Sequence, residues 1–162
     1  MLNSKIALVS GSFDPVTVGH YDLVLRASKM FDEVYVTEFT NSSKTTLFST
    51  DERLQMLHAA FDKIPNVHVD VWGGLLADYA VMHNIGTIAK GARSATDFDY
   101  EMSLSLINRS IVPELDTVII PTRAEYMHIS STMVRELIRY DCDYSKCVPA
   151  GVAELIETFK KN

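Results

Sequence analysis

The stretch KIALVSGSFDPVTVGHYDLVLRASKMF, residues 5–31, decides the fold of this chain. Its first six residues form a mostly apolar run that is followed by Gly11, a pattern that predicts a strand buried on both faces of a parallel sheet. From His20 to Phe31 the apolar residues recur at helical spacing, which predicts a helix. A buried strand that a glycine-containing loop joins to a helix is typical of the first part of a β–α–β unit.

The same alternation of strand and helix patterns continues to the end of the chain. Further strands are predicted at residues 33–40, 67–72, 87–90 and 116–121. Helices are predicted at residues 49–63, 75–84, 97–112 with Asp97 as its cap, 130–139 and 151–160, and residues 41–48 are predicted to form a mobile loop. Five strands alternating with helices indicate an α/β fold with a doubly wound, five-stranded parallel sheet, whose ligands bind beyond the carboxyl ends of the strands.

Composition indicates one ordinary globular domain over residues 1–162, with 47% hydrophobic and 22% charged residues. The apolar runs are far shorter than the roughly 20 residues that span a bilayer, and no signal-type segment is recognisable, so we expect a cytoplasmic protein without a membrane partner. A net charge of −6 disfavours nucleic acid as a partner. Cys142 and Cys147 fit neither a metal-ligand spacing nor a disulfide framework.

The loop after the first strand holds the pattern Thr17-x-Gly19-His20 instead of the G-x-G-x-x-G of dinucleotide-binding proteins, which argues against hydride chemistry. Gly19 opens a helix, and the N-terminal amides of a helix attract anions. His20 lies in the first turn, where its imidazole can donate a hydrogen bond to a phosphate oxygen. A histidine that only caps the helix, with no ligand, is the alternative reading of this motif.

Two further segments point to phosphate chemistry. Ser130, Ser131 and Thr132 open a helix, so their hydroxyls and amides can bind a phosphate tail, although this motif taken alone is more typical of an ordinary helix cap. The run from Lys90 to Arg93 ends a predicted strand, with Gly91 allowing close approach of a ligand to the backbone.

The basic residues are scattered along the chain. If the substrates are anionic, the fold must gather Lys44, Lys90, Arg93, Arg109 and Arg135. Four polar elements at successive carboxyl ends of strands together indicate a site for two phosphorylated substrates.

Four segments carry a resemblance to a known family: GSFDPVTVGH at 11–20, the loop at 41–44, KGARSATDFDYE at 90–101 and HISSTMVRE at 128–136. Over nearly its whole length the chain resembles the bacterial phosphopantetheine adenylyltransferases, which belong to the nucleotidyltransferase superfamily with a (T/H)-x-G-H motif. The resemblance implies a Rossmann-like nucleotidyltransferase fold. It also implies adenylyl transfer from ATP to 4′-phosphopantetheine, which gives dephospho-coenzyme A and pyrophosphate in coenzyme A synthesis.

The same resemblance implies Mg²⁺ held mainly through the ATP phosphates, a homohexamer, and coenzyme A or dephospho-coenzyme A as product or feedback ligand. No residue of this chain is expected to be a metal ligand, since no carboxylate cluster of suitable spacing is found. A phosphate monoester is already ionised near neutral pH, so the nucleophile needs no protein base, and catalysis rests on positioning and charge stabilisation.

Carried over by position, the resemblance makes His20 the catalytic residue, which stabilises the transition state at the α-phosphate of ATP. The acceptor is assigned to Ser12, Lys44, Lys90, Leu75 and Leu76, the two leucines lining the pantetheine arm. Contacts with ATP are assigned to Ser12, Phe13, His20, Gly91, Ala92, Arg93, Glu101, Tyr126, Met127, His128, Ile129, Ser130, Ser131 and Thr132.

The chain departs from the family pattern at two places. Lys90 stands where arginine is common, which keeps the charge but loses the bidentate guanidinium. Glu38 and Phe39 stand where small residues are common, and a carboxylate at Glu38 would repel anionic substrates unless it points away from them. Two alternatives stay open: a sister transferase acting on nicotinate mononucleotide or a phosphorylated alcohol, and a non-catalytic nucleotide-binding module.

Overall fold

The computed structural model describes residues 1–40 and 45–161, and it confirms the predicted α/β class. One five-stranded sheet has the order β3-β2-β1-β4-β5, and every neighbouring pair of strands is parallel. The strands are β1 Asn3–Gly11, β2 Glu33–Phe39, β3 Val67–Trp72, β4 Ile85–Ala92 and β5 Asp116–Pro121. The chain builds outward from β1 to β3 and then returns to β4 on the other side, so the strand order reverses between β1 and β4.

Six α-helices and one 3₁₀-helix are found in the described part of the chain. They are α1 Val18–Ala27, α2 Thr50–Phe61, α3 Leu76–Met82, α4 Ala95–Ile111, the 3₁₀-helix Ala124–Tyr126, α5 Ser131–Arg139 and α6 Val152–Phe159. No helix within residues 1–40 or 45–161 is both long enough and apolar enough to cross a membrane. The cytoplasmic location stays a prediction.

The sheet buries side chains on both faces, because successive residues of a strand point to opposite sides. Val9 and Val36 belong to the larger core, which also takes residues from α1, α2, α5 and α6. Leu8 and Ile88 belong to a second core with Tyr79 of α3. The near-continuous apolar runs that predicted the strands follow from this double burial.

Most helix boundaries differ from the sequence predictions by one to four residues, and two of these differences concern residues singled out above. Ser94, and not Asp97, caps α4, since the Ser94 hydroxyl accepts a hydrogen bond from the Asp97 amide at 3.1 Å and the helix already begins at Ala95. Helix α1 begins at Val18, ahead of His20, and ends at Ala27 rather than Phe31. In contrast, the predicted capping pair of Ser49 and Glu52 is confirmed at the start of α2.

Candidate active site

A pocket of about 350 Å³ lies at the carboxyl ends of β1, β4 and β5, beside the point where the strand order reverses. The N-termini of α1 and α5 both border it. Its predicted members are Phe13, His20, Lys90, Gly91, Arg93, Glu101, Tyr126, Ile129, Ser130, Ser131 and Thr132. The fold therefore brings residues that are more than 100 positions apart in the sequence to one edge of the sheet.

His20 is held in one orientation by the residue that caps its own helix. The Thr17 amide donates a hydrogen bond to Nδ1 of His20 at 3.0 Å, and the His20 amide donates to the Thr17 hydroxyl at 3.4 Å. Because Nδ1 accepts from an amide, the neutral ring carries its proton on Nε2. His20 therefore caps the helix and also offers an N–H donor to the pocket.

The surroundings of His20 favour the neutral imidazole. Burial, together with the charges of Arg93 and Lys90, lowers the pKa of His20 from 6.5 to about 4. At neutral pH the ring is therefore uncharged, and it acts as a hydrogen-bond donor rather than as a proton donor. The rings of Phe13 and His20 pack edge to face, with ring centroids 5.1 Å apart.

Lys90 lies at the seam between β1 and β4. Its ammonium donates to the Ser10 carbonyl at 3.1 Å and lies 3.8 Å from a carboxylate oxygen of Glu101. Burial lowers the pKa of Lys90, and the charge of Glu101 opposes that shift. The side chain is thus a largely buried cation whose position is set by groups on β1 and α4.

Arg93 connects the end of β4 with the segment that leads into α5. Its Nε lies 3.1 Å from a carboxylate oxygen of Asp97, and its Nη1 donates to the Ile129 carbonyl at 3.4 Å. Because Asp97 and Ile129 hold the guanidinium, Arg93 is part of the pocket wall.

The three hydroxyl residues at the N-terminus of α5 all line the pocket, and each already has a protein partner. Ser130 accepts from the Met133 amide at 3.1 Å, so it is the helix cap. Ser131 donates to the Pro15 carbonyl at 2.9 Å. Thr132 accepts from Arg135 at 3.1 Å. Ser130 is therefore a helix cap, and this role is compatible with an anion site, since the first-turn amides of a helix have no partners within it.

A family model described as Cytidylyltransferase-like matches residues 8–137, which is most of the chain and includes the whole sheet after the first residues of β1. The chain belongs to the cytidylyltransferase-like family. This assignment supports nucleotidyl transfer as the class of chemistry, and it does not specify the acceptor.

Solved structures give the same fold for this cytidylyltransferase-like protein. A provisionally assigned nicotinate-nucleotide adenylyltransferase from Vibrio parahaemolyticus superposes with a TM-score of 0.71 and 17% sequence identity. The match covers 94% of this chain and 91% of that one. At this identity the likeness shows the fold alone, which is the predicted Rossmann-like nucleotidyltransferase fold.

Several predicted site residues of the cytidylyltransferase-like protein lie outside the pocket lining. Ser12 and Ala92 are half-buried next to it, and Met127 and His128 are exposed near its rim. Leu75 is exposed as the residue before α3, and Leu76 packs against the second core; both lie at the carboxyl end of β3. Lys44 lies outside the described residues.

Two charged residues that the sequence analysis singled out lie away from the pocket; for Arg109 this contradicts the expectation, and for Glu38 it is the case in which the carboxylate points away from the ligands. Arg109 is not gathered at the site, because it pairs at 3.8 Å with Asp116, which begins β5 at the opposite edge of the sheet. Glu38 does not repel substrates from within the pocket, because its fully buried carboxylate lies 2.7 Å from Arg53, below the loop after β1.

Sequence reasoning missed one wall of the pocket. Asp22 pairs with Arg123 at 3.1 Å and with Arg26 at 3.4 Å, and Arg26 donates to the Pro121 carbonyl at 2.7 Å. Leu23, Pro121 and Thr122 complete this side. The signal was available, since β5 was predicted to end at Pro121 and a parallel strand places that end at the ligand edge.

Proposed function

We propose that this protein transfers the adenylyl group of ATP to 4′-phosphopantetheine, giving dephospho-coenzyme A and pyrophosphate. The observation that carries the proposal is the arrangement around His20: a neutral imidazole donor in the first turn of a helix shares one pocket with two cations, Lys90 and Arg93, whose charges act on it. Membership of the cytidylyltransferase-like family supports nucleotidyl transfer, and the four sequence segments that resemble phosphopantetheine adenylyltransferases support the acceptor.

The proposed reaction is a single displacement at phosphorus. A phosphate oxygen of the acceptor attacks the α-phosphorus of ATP, the bond from that phosphorus to the bridging oxygen breaks, and pyrophosphate leaves with the electron pair. The acceptor phosphate is already ionised, so no protein base removes a proton. In this scheme Nε2–H of His20 donates to a non-bridging oxygen of the α-phosphate, where negative charge builds up in the transition state.

The carboxylates that line the pocket are all engaged by cations. Asp22 pairs with Arg26 and Arg123, Asp97 with Arg93, and Glu101 with Lys90. Within residues 1–40 and 45–161 no group of three or more histidine, cysteine or carboxylate side chains could hold a metal ion. This donor set fits a Mg²⁺ that ATP itself carries, and bound Mg²⁺ would supply neutralisation of the phosphate charge.

Lys90 and Lys44 are proposed to hold the acceptor phosphate, together with Ser12. Leu75 and Leu76 lie at the same edge of the sheet, where an extended pantetheine arm could reach them. Coenzyme A carries the same arm, so we propose that coenzyme A, like the product dephospho-coenzyme A, occupies this part of the site and competes with the acceptor.

Helix α4 supports the homohexamer that the resemblance implies. None of its 17 residues is buried, and its exposed large apolar side chains are Phe98, Tyr100, Met102, Leu106, Ile107 and Ile111. Exposed apolar surface of this extent is typical of an interaction face. We propose that further copies of this chain cover it.

The proposed function is tested by measuring pyrophosphate release with ATP, Mg²⁺ and a panel of acceptors. The panel contains 4′-phosphopantetheine, nicotinate mononucleotide, a phosphorylated alcohol and unphosphorylated pantetheine. We expect pyrophosphate release with 4′-phosphopantetheine and none with pantetheine, because the nucleophile is the phosphate. Preference for nicotinate mononucleotide or another phosphorylated acceptor would replace the proposed substrate. ATP binding without turnover on any acceptor would indicate a nucleotide-binding module instead.

A further inference from the structure

A buried ion pair lies directly beneath the loop that joins β1 to α1. Arg53, in α2, and Glu38, at the end of β2, have side chains that are 6% and 0% exposed, and Nη1 of Arg53 lies 2.7 Å from Oε1 of Glu38. Neither residue lines the pocket. Burying two charges is costly even when they pair, and an apolar pair of similar volume is often as stable, so this ion pair is a candidate for a role other than stability.

Arg53 makes one contact with the loop itself. Its Nη1 donates a hydrogen bond to the Ser12 carbonyl at 2.9 Å. The rest of the guanidinium is fixed to the start of its own helix, because Nε donates to the Ser49 carbonyl at 3.4 Å and Nη2 donates to the Thr50 hydroxyl at 3.3 Å. The position of the Ser12 carbonyl is therefore set from α2.

The Ser12 carbonyl shares a planar peptide unit with the Phe13 amide. In a trans peptide the C=O and N–H bonds point in opposite directions, so drawing the carbonyl toward Arg53 turns the Phe13 N–H away from it. Phe13 has a φ of 46°, in the left-handed region that bulky residues rarely adopt. It lines the pocket beside His20, and its amide donates to no backbone carbonyl within residues 1–40 and 45–161.

We propose that Arg53 is a positioning residue, which holds the Ser12 carbonyl so that the Phe13 amide is aimed at a phosphate bound in the pocket. Glu38 offsets the charge of Arg53 and keeps the guanidinium in the core, where it would otherwise be drawn toward the anionic ligand. This inference rests on the proposed function only in that the pocket takes the phosphates of a nucleotide.

The decisive experiment separates positioning from stability with the double variant Glu38→Leu/Arg53→Met. Apolar residues of similar volume replace the pair, an exchange that is often neutral or stabilising. We expect the double variant to stay cooperatively folded in a thermal melt, since both buried charges are removed together, although the acceptors on Ser12, Ser49 and Thr50 lose the donors that Arg53 supplies. We expect its affinity for ATP, measured by calorimetry, to fall about ten- to hundredfold, the factor for one hydrogen bond to a charged group.

The matched control is Arg139→Met, which removes an arginine that pairs with Glu136 on the surface. It should leave the ATP affinity unchanged. A double variant that is stable and binds ATP within twofold of the wild type would show that the pair only fills the core, and would overturn the inference.

A second measurement needs no variant. The chain holds seven phenylalanines, so selective ¹⁵N-phenylalanine labelling gives few amide signals to assign. Titration of the wild type with inorganic tripolyphosphate should shift the Phe13 signal more than the other six. An unmoved Phe13 signal, with binding established by calorimetry, would refute the proposal even if the double variant does not fold.

These outcomes are distinct from failure of the proposed function. If the wild type binds ATP and transfers it to no acceptor, the proposed reaction is wrong, and the comparison of ATP affinities still tests Arg53. If the wild type binds neither ATP nor tripolyphosphate, the Phe13 amide binds no phosphate, and this inference is overturned as well.

Discussion

The hydrogen bond from the Thr17 amide to Nδ1 of His20, at 3.0 Å, determines which nitrogen of the imidazole serves the pocket. This hydrogen bond leaves the proton of the neutral ring on Nε2. The lowered pKa of His20 means that Nδ1 is not protonated at neutral pH. One residue thereby completes a helix cap and presents a neutral donor to a site rich in positive charge.

His20→Ala removes that donor, and we expect kcat/KM for pyrophosphate release to fall roughly 10²- to 10³-fold, as for loss of a group that stabilises developing charge. The control is His58→Ala, since His58 pairs with Asp62 on the surface of α2. Circular dichroism should show both variants folded. Unimpaired turnover in His20→Ala would contradict the proposed role.

The pH dependence of stability follows from the lowered pKa of His20. The folded-state pKa is about 4 and the ordinary value is 6.5, so the unfolded chain binds the proton more readily between these values. The contribution of His20 to stability is therefore complete above about pH 6.5 and is lost as the pH falls toward 4. Urea unfolding of wild type and His20→Asn over this range measures it. The difference in unfolding free energy between the two proteins should shrink as the pH falls, and a constant difference would contradict this assignment.

Lys90→Arg tests whether the lysine limits acceptor binding. A guanidinium offers the phosphate two hydrogen bonds where an ammonium acts as a point charge, so we expect the KM of the acceptor to fall roughly two- to tenfold. Lys90→Ala should raise it. Lys29→Arg, at an exposed position of the chain, should leave it unchanged. A KM that rises in Lys90→Arg would indicate that the seam between β1 and β4 cannot hold the larger group.

Asp14 is expected to be a main contributor to stability. Its carboxylate is 4% exposed, accepts from the Leu47 and Phe48 amides at 2.9 Å each, and lies 3.5 Å from Arg135. Asp14→Ala leaves these donors unsatisfied, so the free energy of unfolding should fall by about 3–5 kcal/mol. Asp62→Ala, at an exposed ion pair, should change it by less than about 0.5 kcal/mol. If chemical denaturation shows the same loss of unfolding free energy in both variants, Asp14 is not a main contributor to stability.

If copies of this chain associate through the exposed face of α4, adding charges to that face should weaken the assembly. Phe98→Glu combined with Leu106→Glu places two carboxylates on side chains that are 45% and 66% exposed. Sedimentation velocity should show a homohexamer for the wild type and smaller species for the variant. Met30 is an exposed apolar residue just after α1, so Met30→Glu is the control. A monomeric wild type would refute the proposed assembly.

Periodicity in the sequence predicted the order of strands and helices, because the alternation of apolar and polar residues is a local property. For the same reason the ends of Lys5–Ser10 and Asp116–Pro121 were near the observed ends of β1 and β5. Cap positions were less predictable. Ser94 and Asp97 both suit the start of α4, and only the path of the chain out of β4 selects Ser94.

The sequence alone determined the parallel α/β architecture and most of the residues at its ligand edge, since strand ends and glycine turns can be read from neighbours along the chain. Only the tertiary structure decided the charge states and pairings. The order of the strands brings Lys90 and Arg93 close enough to His20 for their charges to lower its pKa. It places Arg109 beside Asp116, at the amino end of β5. It also buries Glu38 against Arg53. A pKa and an ion pair depend on distances in space and on exclusion of water, and neither is set by separation along the chain.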